Sequence, residues 1–319
     1  MLNDLHDLVV VAIPTRTNFR GINLREVALF RGSAGWSEFA PFLEYGIAES
    51  SAWLKAAIEA ANNEWPELKR TSIPINATLP RVAPDRVPEV LKTFPGCTTI
   101  KIKVDNFEED QALVAAALDY LPTAKIRLDV NGGWSLDQAI ADLTKFQGLF
   151  GDVFEYIEQP CENLADLAQV KREVPIKIAV DESIRKNLGG NFSNLHEVAD
   201  VAIMKWAPSG GFAASKNLIS EIGLPTVISS ALDTGVGISH GLALAASLDS
   251  LDYACGLGTV SLLESDICSP ALVPHNGHLE VRRVEPDQKL IDRYRAGEDR
   301  QEWWKNRITN IMQSGGFDE

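Results

Sequence analysis

The stretch TTIKIKVDNFEEDQALVAAALDYLPTAKIRLDVNGGW, residues 98–134, decides the fold. It opens on a short β-rich run at 99–104, passes through a helical stretch at 107–120 and returns to a β-rich run at 125–130. Strand, helix and strand in about 30 residues make one crossover unit. Lys101 and Lys103 sit near the end of the first run and Asp129 at the end of the second. Outward from this unit the pattern recurs. Further β-rich runs fall at 73–79, 153–158, 176–180, 200–205, 226–230 and 252–256. Helical stretches fall at 85–93, 135–150, 164–173, 212–221 and 236–248, with a short turn near 193–198. Eight strands alternating with helices predict an α/β fold, a closed (β/α)8-type TIM barrel over residues 71–268. No clear helix follows the eighth strand before the prolines at 270–274, which makes the barrel a (β/α)7β variant.

The flanks read differently. Residues 1–70 predict an α+β capping unit, with strands at 8–13 and 23–30 and a helix at 49–64. Two loops stand out there, a polar one at 14–21 and an aromatic one at 35–46. The tail, residues 269–319, predicts one helix over 288–312 that returns to the capping unit, and a frayed end at 314–319. The competing architecture, a doubly wound open sheet, would want a glycine-rich turn after an early strand. No G-x-G-x-x-G is present, and Gly132-Gly133 and Gly235-Val236-Gly237 read as turn glycines.

Composition narrows the class of activity. An apolar fraction of 45% suits a large buried core, and a net charge of −14 argues against nucleic acid or an anionic membrane as partner. The expected partner is a small molecule; the oligomeric state stays open. The four cysteines, Cys97, Cys161, Cys255 and Cys268, show no C-x-x-C spacing and read as free thiols in a reducing cytoplasm. The N-terminus carries Asp4 and Asp7 instead of a basic leader, and no apolar run approaches the ~20 residues of a membrane span.

The chemistry lies at the strand ends. Lys103, Asp129, Glu158, Asp181 and Lys205 are 26, 29, 23 and 24 residues apart, so consecutive crossover units bring them to one mouth of the barrel. Asp129, Glu158 and Asp181 offer oxygen ligands only, which suits Mg²⁺, with Mn²⁺ as a possible substitute. Taken singly, each aspartate also reads as the N-cap of the next helix. Alternate strand residues share a face, so Lys101 and Lys103 point the same way, about 7 Å apart. A neutral amine at pH 7 costs a free lysine roughly 4–5 kcal/mol. Burial, a second ammonium and a divalent ion all reduce that cost, which makes Lys103 a candidate base, with Lys205 approaching from across the mouth. Such a site suits a carboxylate substrate: a lysine removes the proton on the adjacent carbon and the metal stabilises the enediolate. Arg127 and Asn131 share the parity of Asp129 and read either as contacts to a second substrate carboxylate or the metal's surroundings or, for Arg127, as an interior ion pair. Gly210, in Ser209-Gly210-Gly211, and Ser229 and Ser230 follow strands six and seven and either hold an anionic group or form ordinary loops.

Taken together, Lys101-Ile102-Lys103, Asp129-Val130-Asn131-Gly132-Gly133-Trp134, Glu158-Gln159-Pro160, Asp181-Glu182-Ser183 and Lys205 resemble the enolase superfamily, and in it the muconate-lactonizing subgroup. Over nearly the whole chain the resemblance is to the o-succinylbenzoate synthase family of menaquinone biosynthesis. It implies Mg²⁺ on Asp129, Glu158 and Asp181, Lys103 as the base and Lys205 as electrostatic partner of the intermediate. It implies syn dehydration of 2-succinyl-6-hydroxy-2,4-cyclohexadiene-1-carboxylate, with the capping loops closing over the pocket. The histidine base that the mandelate-racemase subgroup carries at strand seven is replaced by Ser229-Ser230, and His240 reads as a packing residue. The Asp-x-Asp that dipeptide epimerases carry after strand eight is absent. N-acylamino acid racemization is the nearest alternative, since it too needs a lysine on each face; muconate cycloisomerization and a non-catalytic metal-binding barrel are more distant ones.

Overall fold

The computed structural model describes residues 6–192 and 194–314. The start of the turn expected near 193, the frayed end from 315 and the acidic opening around Asp4 lie outside the described residues.

The chain begins as an antiparallel meander, β1 (His6–Phe19), β2 (Ile22–Gly32) and β3 (Gly35–Phe39), followed by α1 (Ile47–Asn62). Both strands of the first hairpin are longer than the sequence suggested. Val9, Val11, Ile13, Val27 and Leu29 are fully or almost fully buried, and pairing continues through Pro14 to Leu24. The expected polar loop at 14–21 is therefore mostly strand, with a tight turn at Arg20 and Gly21, both at positive φ. Five residues of the expected aromatic loop form β3.

Next come β4 (Ser72–Pro74), β5 (Ala77–Leu79), α2 (Val87–Leu91), β6 (Thr99–Lys103), α3 (Phe107–Tyr120), β7 (Lys125–Asp129), α4 (Leu136–Phe150) and β8 (Phe154–Glu158). They are followed by α5 (Leu164–Glu173), β9 (Ile178–Val180), α6 (Glu182–Arg185), β10 (Val201–Met204), α7 (Phe212–Ile222), β11 (Thr226–Ile228) and α8 (Gly235–Ser247). The seven strands β5 to β11 form one parallel sheet in sequence order. Alternation sorts its side chains: Ile100, Ile102, Ile126 and Leu128 are buried on one parity, and Lys101, Lys103, Arg127 and Asp129 occupy the other. Helix starts are fixed locally. Asn106, Ser135 and Asn163 each accept a hydrogen bond from an N–H in the first turn of α3, α4 and α5.

Two expectations are corrected here. The run at 73–79 divides at Ile75 and Asn76, because β4 turns away to pair with β12 (His278–Glu280) while β5 enters the barrel. The eighth run is no full strand: Cys255 bridges to Ile75 and Gly256 to Ser229, closing the ring through two single contacts. The tail also differs. Its helix is two, α9 (Gln288–Tyr294) and α10 (Glu298–Gln313), interrupted around Gly297. Trp304 of α10 is fully buried, edge-on to Phe39 at 5.7 Å, and donates to Glu26 at 2.6 Å. The tail thus packs on the N-terminal sheet.

Two carboxylates of the N-terminal unit fasten it to the barrel. Glu59 of α1 accepts from the N–H groups of Phe212 (2.5 Å) and Ala213 (3.2 Å) at the start of α7. Glu38 of β3 accepts from the N–H groups of Gly237 (3.0 Å) and Thr234 (3.3 Å) at the start of α8, and from the Thr234 hydroxyl. Helix N-termini favour negative charge. A Cβ at Gly237 would stand 2.5 Å from the Glu38 oxygen, which explains glycine there.

Burial and the nearby Asp233 push the Glu38 carboxyl up to about 8, against Thr234 and Arg25, which favour its charged form. The folded state therefore keeps a proton that the unfolded chain releases from 4.5 upward. This contribution to stability is complete below the unfolded value and is lost as pH rises through the folded one. Thermal denaturation between about pH 6 and about pH 9 should show a decline that Glu38→Gln makes shallower. An equal decline in both proteins would contradict this.

Candidate active site

The carboxylates and lysines meet at the carboxyl ends of the strands. In the sheet register Lys103 pairs with Asp129, and Asp129 with Glu158. Asp181 follows β9 directly and Lys205 follows β10. Lys101 Nζ donates to Asp129 Oδ2 at 2.9 Å and to both Glu158 oxygens at 3.1 and 3.2 Å. Lys103 Nζ donates to Asp129 Oδ2 (2.6 Å) and Asn131 Oδ1 (2.7 Å). Lys205 Nζ donates to Asp181 Oδ2 at 2.6 Å. Asp129, Glu158 and Asp181 are at most 2% exposed. One cavity is lined by Lys101, Lys103, Asp129, Asn131, Asp181 and Lys205 together with Ser229 and Ser230. Glu158 is buried and does not line it.

The electrostatics follow from burial opposed by pairing. Burial would raise Asp129, but Lys101 and Lys103 outweigh it and hold the group far below the usual carboxylate range. Asp181 is likewise lowered, with Lys205 and Arg185 overcoming burial. Glu158 goes the other way: burial and Asp129 push it up to about 7 despite Lys101. Lys101 itself is raised well above its ordinary value, because Asp129 and Glu158 outweigh its burial. Its ammonium group is held by these two carboxylates.

Among the described residues no three His, Cys, Asp or Glu side chains stand together as a ready cage, since ammonium groups lie between the carboxylates. The donor set still fits a hard dication. It is all oxygen, and the three carboxylates are buried side by side at the strand ends.

For Arg127 and Gly210, both left open by the sequence, the structure favours the structural alternative. Arg127 has the right parity but lies about 7 Å deeper along its strand than Asp129. It is fully buried, donates to Glu155 (2.6 Å), Asn76 (2.9 Å) and the Ala254 carbonyl (2.8 Å), and stacks on Tyr156; it is the interior ion pair. Gly210 does not line the cavity, and the neighbouring N–H groups at the start of α7 already hold an anion, the Glu59 carboxylate. His240 is buried among Trp65, Trp206 and Phe212, accepts from the Trp65 indole at 3.1 Å, and burial lowers its pKa to about 3.

Other contributors went unread in the sequence. Gln159, at positive φ, accepts from the N–H groups of Asp181 and Ser183 (both 3.1 Å) and donates to the Ser183 hydroxyl (2.7 Å), so it holds the segment that carries Asp181. Glu182 accepts from Asn131 (3.2 Å) and Arg185 (2.8 Å) and orients the amide that faces Lys103. Arg185, four residues after Asp181, also donates to the Tyr45 hydroxyl at 3.2 Å. The two capping segments expected to close over the pocket do reach it: Phe19, Arg20 and Phe42 line the cavity.

A lysine-flanked set of strand-end carboxylates under an α+β cap defines a class. Residues 10–61 match the model of the enolase N-terminal domain-like family, and residues 89–286 that of the enolase C-terminal domain-like family. The fold is similar to that of a muconate lactonizing enzyme from Pseudomonas fluorescens complexed with muconolactone, with a TM-score of 0.77 and 20% identity over 92% of this chain and 99% of that one. It is also similar to the L-Ala-D/L-Glu epimerase from Bacillus subtilis, with a TM-score of 0.73 and 20% identity over 89% and 97% of the two chains. The chain belongs to the enolase superfamily. Two curated o-succinylbenzoate synthases resemble it much more closely. That of Mycobacterium ulcerans (strain Agy99) is 45% identical over 96% of this chain and 94% of its own. That of Mycobacterium leprae (strain TN) is 47% identical over 97% and 91%. Within the superfamily the chain is a member of the o-succinylbenzoate synthase family, which makes it a carbon–oxygen lyase.

Proposed function

We propose that the chain dehydrates 2-succinyl-6-hydroxy-2,4-cyclohexadiene-1-carboxylate to o-succinylbenzoate, in the cytoplasm and as a step of menaquinone biosynthesis. The observation that carries this reading is the pair Lys103 and Lys205, on separate strands but lining one cavity with Asp129 and Asp181. Lys103 is held at the cavity by Asp129 and Asn131. In its neutral form it takes the proton from the carbon beside the substrate carboxylate. The electron pair left behind spreads into that carboxylate, where the Lys205 ammonium stabilises it. Expulsion of the ring hydroxyl completes the step. Lys103 returns the proton to it on the same face, so water leaves and the ring becomes aromatic. Asp129, Glu158 and Asp181 would hold Mg²⁺, with Mn²⁺ as a substitute, to supply positive charge for the substrate carboxylate. Ser229 and Ser230 line the same cavity, with Ser230 donating to the Gly256 carbonyl at 2.8 Å, and present a polar wall to the substrate. All four cysteines are free and buried, which supports a reducing compartment, and among the described residues no helix is long and apolar enough to cross a membrane.

The test is conversion. Purified protein with Mg²⁺ should replace the diene absorbance of fresh substrate by that of the aromatic product. Absence of conversion at any Mg²⁺ concentration would overturn the reading.

A further inference from the structure

Arg25, in β2, is 3% exposed, and its hydrogen bonds among the described residues all go to main-chain carbonyls. Its Nε donates to Leu232 O at 3.1 Å, and one terminal nitrogen donates to Ala231 O at 3.2 Å and to Ala40 O. The guanidinium also lies 4.9 Å from the centre of the Phe42 ring. Arg25 thus touches two separately built walls of the cavity. One is the cap segment around Ala40 and Phe42. The other is the barrel segment after β11, in which Ser229, Ser230 and Ala231 line the cavity. Leu232 stands at φ +63, a conformation that costs a branched side chain energy and persists only where its surroundings impose it. Arg25 is one of those surroundings. Burial lowers the pKa of its guanidinium, and Asp233 and Glu38 nearby oppose that only in part. A planar fork with fixed donor directions can hold three carbonyls from two segments; a lysine ammonium has neither the span nor the geometry.

We propose that Arg25 is a positioning residue for substrate: it sets the separation between the Phe42 wall of the cap and the Ser229, Ser230 and Ala231 wall of the barrel. It acts through these walls and touches no reacting atom. This rests on the cavity being the substrate site. The metal-binding carboxylates sit on other strands, so their affinity for Mg²⁺ is independent of it.

The experiment compares Arg25→Lys with Glu59→Gln. Both changes loosen the junction between cap and barrel, but Glu59 contacts α7 and no wall of the cavity. Steady-state kinetics give KM and kcat, and calorimetry gives the Kd values of o-succinylbenzoate and of Mg²⁺. Since a displacement of about 1 Å can cost 10²-fold, Arg25→Lys should raise KM and the o-succinylbenzoate Kd by about tenfold or more. The Mg²⁺ Kd should be unchanged and kcat changed much less than KM. Glu59→Gln should lower the melting temperature and leave KM unchanged. The proposal falls if Arg25→Lys leaves KM and product affinity at wild-type values, if both variants raise KM alike, or if Mg²⁺ affinity weakens in step. Should Arg25→Lys fail to fold, Phe42→Leu removes the stacked face alone; it should raise KM severalfold, and an unchanged KM would likewise defeat the proposal. Wild-type protein that binds o-succinylbenzoate but converts no substrate would refute the assigned dehydration and leave this inference testable by the binding arm.

Discussion

Lys103→Ala should yield a folded protein that binds Mg²⁺ and o-succinylbenzoate but turns over about 10²–10⁴ times more slowly, or worse. Its side chain is 18% exposed at the cavity, so little packing is lost on truncation. Asp129 keeps Lys101 as a partner at 2.9 Å, so no carboxylate is left unpaired. The loss should therefore lie in the chemical step, with kcat falling far more than affinity. Calorimetry for both ligands, circular dichroism for the fold and the ultraviolet assay for turnover separate these effects. Activity within tenfold of wild type would remove Lys103 from the role of base and shift attention to Lys205.

Asp129→Ala should be more damaging to the molecule as a whole. Asp129 is completely buried and is shared by two ammonium groups, at 2.9 and 2.6 Å. Removing one member of a buried ion-pair network leaves charge uncompensated, at a cost of about 3–5 kcal/mol. Lys101 would retain Glu158, but Lys103 would keep only the Asn131 amide. Activity should fall below detection, Mg²⁺ affinity should drop by orders of magnitude, and the melting temperature should fall measurably. A variant that melts like the wild type while losing metal would show that the ammonium groups find other partners. One that still binds Mg²⁺ tightly would take Asp129 out of the ligand set.

The sequence carried the parts of this site that depend on local rhythm. A strand-end position recurs with each crossover, so Lys103, Asp129, Glu158, Asp181 and Lys205 could be read from spacing alone. Parity told which face a residue takes but not how deep it sits, which left Arg127 open between a substrate contact and the interior ion pair that it forms. Partnerships between distant segments left no such trace. The N–H groups near Gly210 looked open to a ligand because Glu59, which holds them, comes some 150 residues earlier. The break between β4 and β5 reflects a partner strand 200 residues on, and the single-bridge closure at Cys255 depends on both edges of a sheet already formed. Glu182 and Gln159 stood in plain view next to the proposed ligands. Nothing in a linear motif shows that one orients an amide and the other clamps a loop.

The layer above the barrel mouth is woven from both ends of the polypeptide. Phe19, Arg20 and Phe42 emerge early in synthesis, yet the N-terminal sheet next to them packs against Trp304 of α10. On the ribosome, α1 reaches the sheet early, but the contacts that α9 and α10 make with β1 wait for the end of the chain. The barrel can assemble while translation proceeds, but its roof is finished only after α10 has cleared the exit tunnel. Nascent chains arrested short of Trp304 should hold a protease-sensitive β1–β3 segment over an already resistant barrel.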